Sequence, residues 1–177
     1  MSKPEKTNLM PQNDKLILAK SAAAILSQNN GGSLSTFSIK HPGFPFASVT
    51  NYSISPTGEP VFFLSDMARH SKNIKSNPNA SLLVVASSNE QSGPLAAGRI
   101  TLLGSIKPVE SDDIVKTKES YLAANPEATK WVTFGDFRFY KMEIIDAYHV
   151  AGFGAMGWIP PGELSEAINP NPNQSNQ

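Results

Sequence analysis

The chain has 177 residues, and its 15 basic and 15 acidic side chains give a formal net charge of zero. This balance argues against electrostatic capture of nucleic acid or of an anionic membrane surface as the main activity. The absence of cysteine excludes disulfides, a thiolate nucleophile and thiolate metal ligands. The N-terminal segment is polar, and no apolar run approaches the roughly 18 residues of a spanning helix. We therefore expect a cytoplasmic protein that engages neither nucleic acid nor a membrane.

The length and the 40% hydrophobic content predict one globular domain. Polar, proline-containing ends at 1–12 and 169–177 predict disordered tails on either side of a domain at 13–168. Within that domain, Asp14 is a candidate cap for a helix that continues to about Gln28, where Asn-Asn-Gly-Gly ends it.

The rest of the domain reads mainly as strands. Helical segments are predicted at 66–76, 111–124 and 126–132, and strands at 33–39, 46–54, 60–65, 80–87, 98–109, 136–145 and 147–153. Because there is no regular βαβ repeat, we predict an α+β fold in which six or seven mainly antiparallel strands form a barrel with helices packed outside.

Two motif matches are rejected on their context. Residues 152–157 spell GxGxxG, but Trp-Ile-Pro-Pro follows where a dinucleotide-binding helix would have to begin. His41, His70 and His149 are too scattered for a zinc motif, and no GxSxG nucleophile elbow occurs.

The sharpest polar cluster is Arg-His-Ser-Lys-Asn at 69–73, which opens a short helix directly after a strand. Free N–H groups at a helix start and an arginine fork both suit a phosphate. A solvated helix face would give the same composition. Arg99 is open to two interpretations as well: an outward edge residue, or a second cation lining the same cavity.

Residues 59–84, EPVFFLSDMARHSKNIKSNPNASLLV, resemble the flavin-binding segment of the pyridoxamine 5'-phosphate oxidase-like split barrels. SLSTFSIKHPGFPFASV, GRITLLGSI and DFRFYKMEIIDAYHVAGFG look more like the haem-utilisation (HugZ-type) branch and the related CREG proteins. The resemblance implies an FMN-binding split β-barrel with peripheral helices. It also implies a homodimer whose two subunits share each cofactor cavity.

Residue by residue, the resemblance implies that Arg69 clamps the flavin phosphate and that His70 replaces a lysine of the oxidases. Ser65 lies on the phosphate-site strand, and Ser48 on the strand beside the flavin ring. Arg99 matches a cofactor-lining position. Lys72 belongs to the same basic cluster, so the candidate cofactor-binding residues are Ser48, Ser65, Arg69, His70, Lys72 and Arg99.

The chain also departs from its relatives. Pro45 or Phe46 stands where several oxidases have an arginine, and the segment that holds pyridoxal is missing. Haem-degrading members ligate iron with a histidine beyond the last barrel strand, and no histidine follows Phe153. If haem binds, the alternative ligands are His70, His149, His41 or a weak oxygen ligand. His70 ranks first because it adjoins Arg69, which could hold a haem propionate.

Two functions remain open at this point. One is an enzyme, a flavin-dependent oxidoreductase or a haem oxygenase-like protein, in which the cofactor supplies the chemistry. The other is a binding protein, either a haem or flavin carrier or a CREG-like regulatory barrel without a bound cofactor. FMN and haem are both compatible with the cluster, and the sequence assigns no catalytic residue.

Overall fold

A computed structural model of the protein describes residues 12–87, 95–152 and 155–170. Within them an eight-stranded antiparallel sheet curls around one long helix. The helices are α1 (Gln12–Gln28), α2 (Arg69–Ser76), α3 (Ile114–Ala124) and α4 (Pro161–Ile168). The strands are β1 (Gly31–Phe37), β2 (Pro45–Asn51), β3 (Ser53–Ile54), β4 (Pro60–Ser65), β5 (Asn79–Val85), β6 (Arg99–Pro108), β7 (Phe137–Val150) and β8 (Met156–Ile159). Short 3-10 turns at Ser111–Asp113 and Pro126–Lys130 flank α3.

The strand order is β2-β1-β5-β6-β7-β4-β3, and β8 pairs with β7. Every pairing is antiparallel. The predicted class, an α+β fold that is mainly antiparallel, is therefore confirmed. The two outermost strands of this order, β2 and β3, leave the curled sheet open between them.

Alternation along the strands separates an inner from an outer face. Ile100, Leu102 and Ile106 of β6 point inward and are buried. Helix α1 packs against them through small residues such as Ala19 and Ala22, which are fully buried. Small side chains let the helix approach the sheet closely, and this contact forms the main core.

A second, smaller core lies on the outer face between the sheet and α3. Phe63 of β4 stacks on Phe139 of β7 with ring centroids 4.4 Å apart, and Tyr121 of α3 packs edge-on against Phe139. Burial raises the pKa of Tyr121 to about 12. Helix α3 therefore covers one half of the outer face, and among the described residues no other helix covers the rest.

Four element predictions need correction. The strand predicted at 46–54 breaks at Tyr52, whose buried hydroxyl donates to Leu26 O (2.9 Å) of α1. The two last strands predicted at 136–145 and 147–153 form one strand, β7. Strand β8 and helix α4 were not predicted at all. The described residues thus hold eight strands rather than six or seven.

The continuity of β7 depends on a bulge. The pairing of β6 with β7 shifts register between Leu103 and Gly104, so that Ile145 is passed over. A Cβ on Gly104 would lie 2.6 Å from the Met142 side chain and 2.5 Å from Glu143 O, so only glycine fits there. The sequence pattern changes phase at this bulge, which is why it looked like two strands.

Helix α1 already begins at Gln12, two residues before the predicted cap at Asp14. Of the two predicted tails, residues 1–11 and 171–177 lie outside the described residues. The GxGxxG segment falls partly outside them too, but Gly157 lies in strand β8 rather than at a helix start. No helix in the described segments is long and apolar enough to cross a membrane.

Candidate functional site

The start of helix α2 is the part of the polar cluster that faces solvent. Ala68 occupies the N-cap position, and no side chain caps the helix there. The first intrahelical bond runs from Lys72 N to Ala68 O (3.3 Å). The N–H groups of residues 69–71 therefore remain available, together with the positive end of the helix dipole.

One face of α2 is anchored in the barrel. The Asn73 side chain is fully buried, donates to Thr36 Oγ1 (2.9 Å) and accepts a bond from Ile39 N–H (3.2 Å). Ile74 enters the main core beside it. Ser71 Oγ is buried and has no hydrogen-bond partner among the described residues. These contacts fix the helix on strand β1.

Arg69 and Lys72 lie on the opposite face and are exposed. Within residues 12–87, 95–152 and 155–170, neither forms an ion pair. Two unpaired cations therefore project into solvent beside the uncapped helix start. Their charges are available to an anionic ligand.

His70 lies between these two faces and contacts the edge strand β2. Its Nδ1 is 3.0 Å from Ser48 Oγ, and Ser48 Oγ is also 3.4 Å from Leu34 O. When Ser48 donates to that carbonyl, it accepts from the His70 Nδ1–H, and the Nε2 lone pair is left free. Nε2 has no hydrogen-bond partner among the described residues. Burial lowers the pKa of His70, so the ring is neutral at pH 7.

The resemblance placed Ser65 on the strand of the phosphate site, but its hydrogen bonds are made with the neighbouring Asp136 and Met67. Its hydroxyl donates to Asp136 Oδ2 and accepts a bond from Met67 N–H (3.1 Å). It thus shapes the turn between β4 and α2. Asp136 does not pair with Arg138, whose Nε is instead 3.9 Å from Asp66 Oδ2. A hydrogen bond from Lys75 holds the pKa of Asp66 below its usual range.

Arg99 lies on the outer face of the sheet, whereas the start of α2 contacts the inner face. Arg99 pairs with Val85 of β5 and alternates with the buried Ile100. His70 instead contacts Ser48, which pairs with the buried Leu34 of β1. Arg99 is half-buried and donates to the carbonyls of Leu95 and Ala97 (3.3 Å each). Within one chain it does not line the same cavity as Arg69.

His149 is fully buried in the core. Its Nδ1 donates to Arg99 O (2.9 Å), so its Nε2 accepts from the Ser21 hydroxyl of α1 (3.0 Å). Both ring nitrogens are therefore engaged. The sequence pattern did not point to Ser21, which bonds His149, or to Thr36, which bonds Asn73. No local signal marks such pairs, because their partners are distant in the chain.

The structure thus brings Ser48, Arg69, His70 and Lys72 together, places Ser65 in the adjoining turn, and separates Arg99 and His149 from them. No group of His, Asp and Glu suited to hold a metal ion occurs in the described part of the chain. What the cluster offers is one neutral imidazole, two unpaired cations and an uncapped helix start. Such a site can hold an anionic ligand, and its imidazole can ligate iron.

The architecture is that of the split barrels. A putative pyridoxamine 5'-phosphate oxidase from Listeria innocua, 15% identical, superposes with a TM-score of 0.55 over 80% of this chain and 100% of that one. At this identity the likeness shows the fold alone. It confirms the split β-barrel predicted from the sequence.

The family follows from the sequence match. The family model described as "CREG, beta-barrel" matches residues 13–166, and the chain belongs to this family. It is also 34% identical over 142 residues to the chloroplastic heme oxygenase HOZ of Arabidopsis thaliana, a match that covers 80% of this chain and 42% of the plant protein. The chain therefore spans less than half the length of that relative.

A solved structure of a haem protein also resembles this chain. The heme binding protein from Mycobacterium smegmatis is 30% identical and superposes with a TM-score of 0.74. The superposition covers 89% of this chain and 61% of that one. The resemblance to the haem-related and CREG branch of the split barrels is confirmed.

Proposed function

We propose that this protein binds haem at the start of α2, with His70 Nε2 as the iron ligand. The observation that carries the proposal is the contact between Ser48 Oγ and His70 Nδ1 (3.0 Å). A hydrogen bond to one ring nitrogen orients a histidine and leaves the other nitrogen as a metal ligand. The lowered pKa of His70 keeps that nitrogen unprotonated at neutral pH.

The charges around His70 fit the rest of a haem. Arg69 and Lys72 flank it, are exposed and lack ion pairs with the described residues. Two such cations suit the two propionates of the porphyrin. Bound haem would supply redox or oxygen chemistry, and the protein would supply its orientation. The names of the plant and mycobacterial relatives support this ligand over others.

A homodimer would complete the site. The half of the outer face that α3 leaves bare presents apolar side chains from six strands, all on the same side by their pairing. Val49 is 85% exposed and Trp158 55%. The others are Phe37, Leu83, Val85, Leu103, Tyr148 and Met156. Such a patch favours association with a second copy, and Arg99, which lies on this face, would then meet the partner.

A haemin titration followed by visible spectroscopy tests the proposal. We expect His70→Ala to weaken haemin binding at least tenfold and to change the absorbance of any complex that forms, because iron loses its nitrogen ligand. His41→Ala is the matched control, since His41 is an exposed histidine in the loop between β1 and β2. Equal spectra and affinities for the wild type and His70→Ala would contradict His70 ligation. No binding above a non-specific control would contradict the haem site itself.

FMN is the second candidate, and the uncapped N-terminus of α2 favours it. A phosphate there would meet free N–H groups and the Arg69 fork. A charge-assisted clamp is worth about 1.5–3 kcal/mol, or roughly ten- to a hundredfold in affinity. Arg69→Ala should therefore weaken FMN far more than riboflavin, which lacks the phosphate, in a fluorescence titration. Equal losses for both ligands would show that Arg69 has no phosphate to clamp.

A further inference from the structure

A separate cavity of about 320 Å³ lies between the β3–β4 hairpin and helix α3. It opens on the half of the outer face that α3 covers, whereas His70 adjoins the edge strand β2. Thr57, Glu59 and Lys141 contribute to its sheet wall. Asp113, Lys116 and Thr117 form its helix wall. Its volume is at the small end of the range for ligand pockets, roughly 300–1,000 Å³.

Each wall carries one carboxylate and one ammonium group. On the sheet side, Glu59 Oε2 accepts from Thr57 Oγ1 (3.0 Å) and is 3.9 Å from Lys141 Nζ. On the helix side are Asp113 and Lys116. In the part of the chain that the structure describes, no ion pair crosses from one wall to the other. Charges of both signs therefore face the gap from both sides.

The sheet wall is held from behind by α4. Ser165 Oγ donates to Thr57 O (3.2 Å), and Asn169 Nδ2 donates to Pro56 O (2.6 Å). Gly58 completes the turn with a φ of +88°, which favours glycine. These bonds fix the hairpin before any ligand arrives, so little ordering would be needed on binding.

The helix wall is anchored equally firmly. Tyr121 buries its ring under α3 in the second core. Asn125, which follows the helix, is fully buried and donates to Tyr52 O (3.1 Å). Hydrogen bonds and core packing thus hold both walls of the cavity in place.

We propose that this cavity binds a small dipolar metabolite of the free amino-acid class, with its carboxylate toward Lys116 and its ammonium group toward Glu59. Such a ligand would bridge the two walls that the protein leaves unbridged. The matched charges disfavour polyanions such as nucleotides. Among the described residues, the lining contains no aromatic ring on which a base or a sugar could stack.

An NMR titration of the isotope-labelled full chain tests the ligand class. L-Threonine and L-glutamine should shift amide resonances at 53–59 and 113–120 in a saturable manner. Acetate and methylamine carry one charge each, and we expect their affinities to be at least tenfold weaker than those of the two amino acids. The affinity for glucose should be equally weak. The proposal is overturned if neither amino acid gives a saturable shift, or if acetate or methylamine alone binds as well as they do.

Matched substitutions on α3 test the site. Lys116→Gln should weaken amino-acid binding roughly tenfold, because a charged hydrogen bond to the carboxylate is lost. Lys118→Gln, on the same helix but outside the cavity lining, should leave the affinity unchanged. Equal affinities for the two variants would place the ligand elsewhere. Haemin binding should be the same in both variants, so this test is independent of the haem site.

Discussion

At the scale of single residues, the proposed haem site depends on the Ser48–His70 pair. The bond from His70 Nδ1 to Ser48 Oγ (3.0 Å) fixes the ring on the edge strand. Ser48→Ala should therefore weaken haemin binding about three- to tenfold without abolishing it, because the ligand remains but loses its orientation. Ser35→Ala, on the neighbouring strand β1, is the control. If both variants bind haemin like the wild type, Ser48 does not orient the ligand.

The pH dependence of haemin binding belongs to the same residue. Only a neutral imidazole ligates iron, so binding through His70 should be constant near pH 7 and fall in acid. Burial lowers the pKa of His70. The loss should therefore begin below the ordinary histidine value of about 6.5. Affinity measured from pH 8 to pH 4.5 checks this, and an affinity that rose in acid would contradict histidine ligation.

At the scale of elements, His149 joins helix α1 to the sheet. It bonds Arg99 O of β6 and Ser21 of α1 while fully buried. His149→Ala should lower the free energy of unfolding by about 3 kcal/mol, since it leaves a cavity and an unpaired carbonyl. Ser21→Ala removes one bond and should cost about 1 kcal/mol. Urea unfolding of both variants measures these losses. If neither variant lowers the free energy of unfolding, His149 does not join α1 to the sheet.

The same histidine makes stability depend on pH. Burial lowers the pKa of His149, so the folded chain takes up its proton less readily than the unfolded chain. Its contribution to stability is therefore complete above about pH 6.5 and declines as the pH falls below that value. From pH 7.5 to pH 5.5, the free energy of unfolding of His149→Gln should fall less than that of the wild type, as measured by urea unfolding. An identical loss in both proteins would assign the acid sensitivity to other groups.

At the scale of the whole molecule, the bare half of the outer face predicts self-association. Light scattering at micromolar concentration should give about twice the chain mass of 19.0 kDa. Val49→Asp should shift the protein toward the monomer, because it places a charge in the apolar patch. Val115→Asp, on the exposed side of α3, is the matched control. A monomeric wild type would contradict the dimer, and so would a dimer that Val49→Asp leaves intact.

The sequence alone determined the class of fold and the position of the polar cluster. Both are local properties: alternation along strands such as β6 shows in neighbouring residues, and Arg69 to Asn73 are contiguous. The break at Tyr52 and the bulge beside Gly104 were not predicted, because each depends on a partner far along the chain.

Only the tertiary structure decided which of the candidate residues act together. The pairing register puts Arg99 on the outer face of the sheet, away from the start of α2, and it puts His149 in the core with both nitrogens bonded. It also turns Ser48 toward His70, 22 positions away in the sequence. The physical reason is that a strand's register and a helix's buried face are set by contacts summed over the whole core. No single segment contains that sum, and so no segment by itself shows which polar side chains will meet.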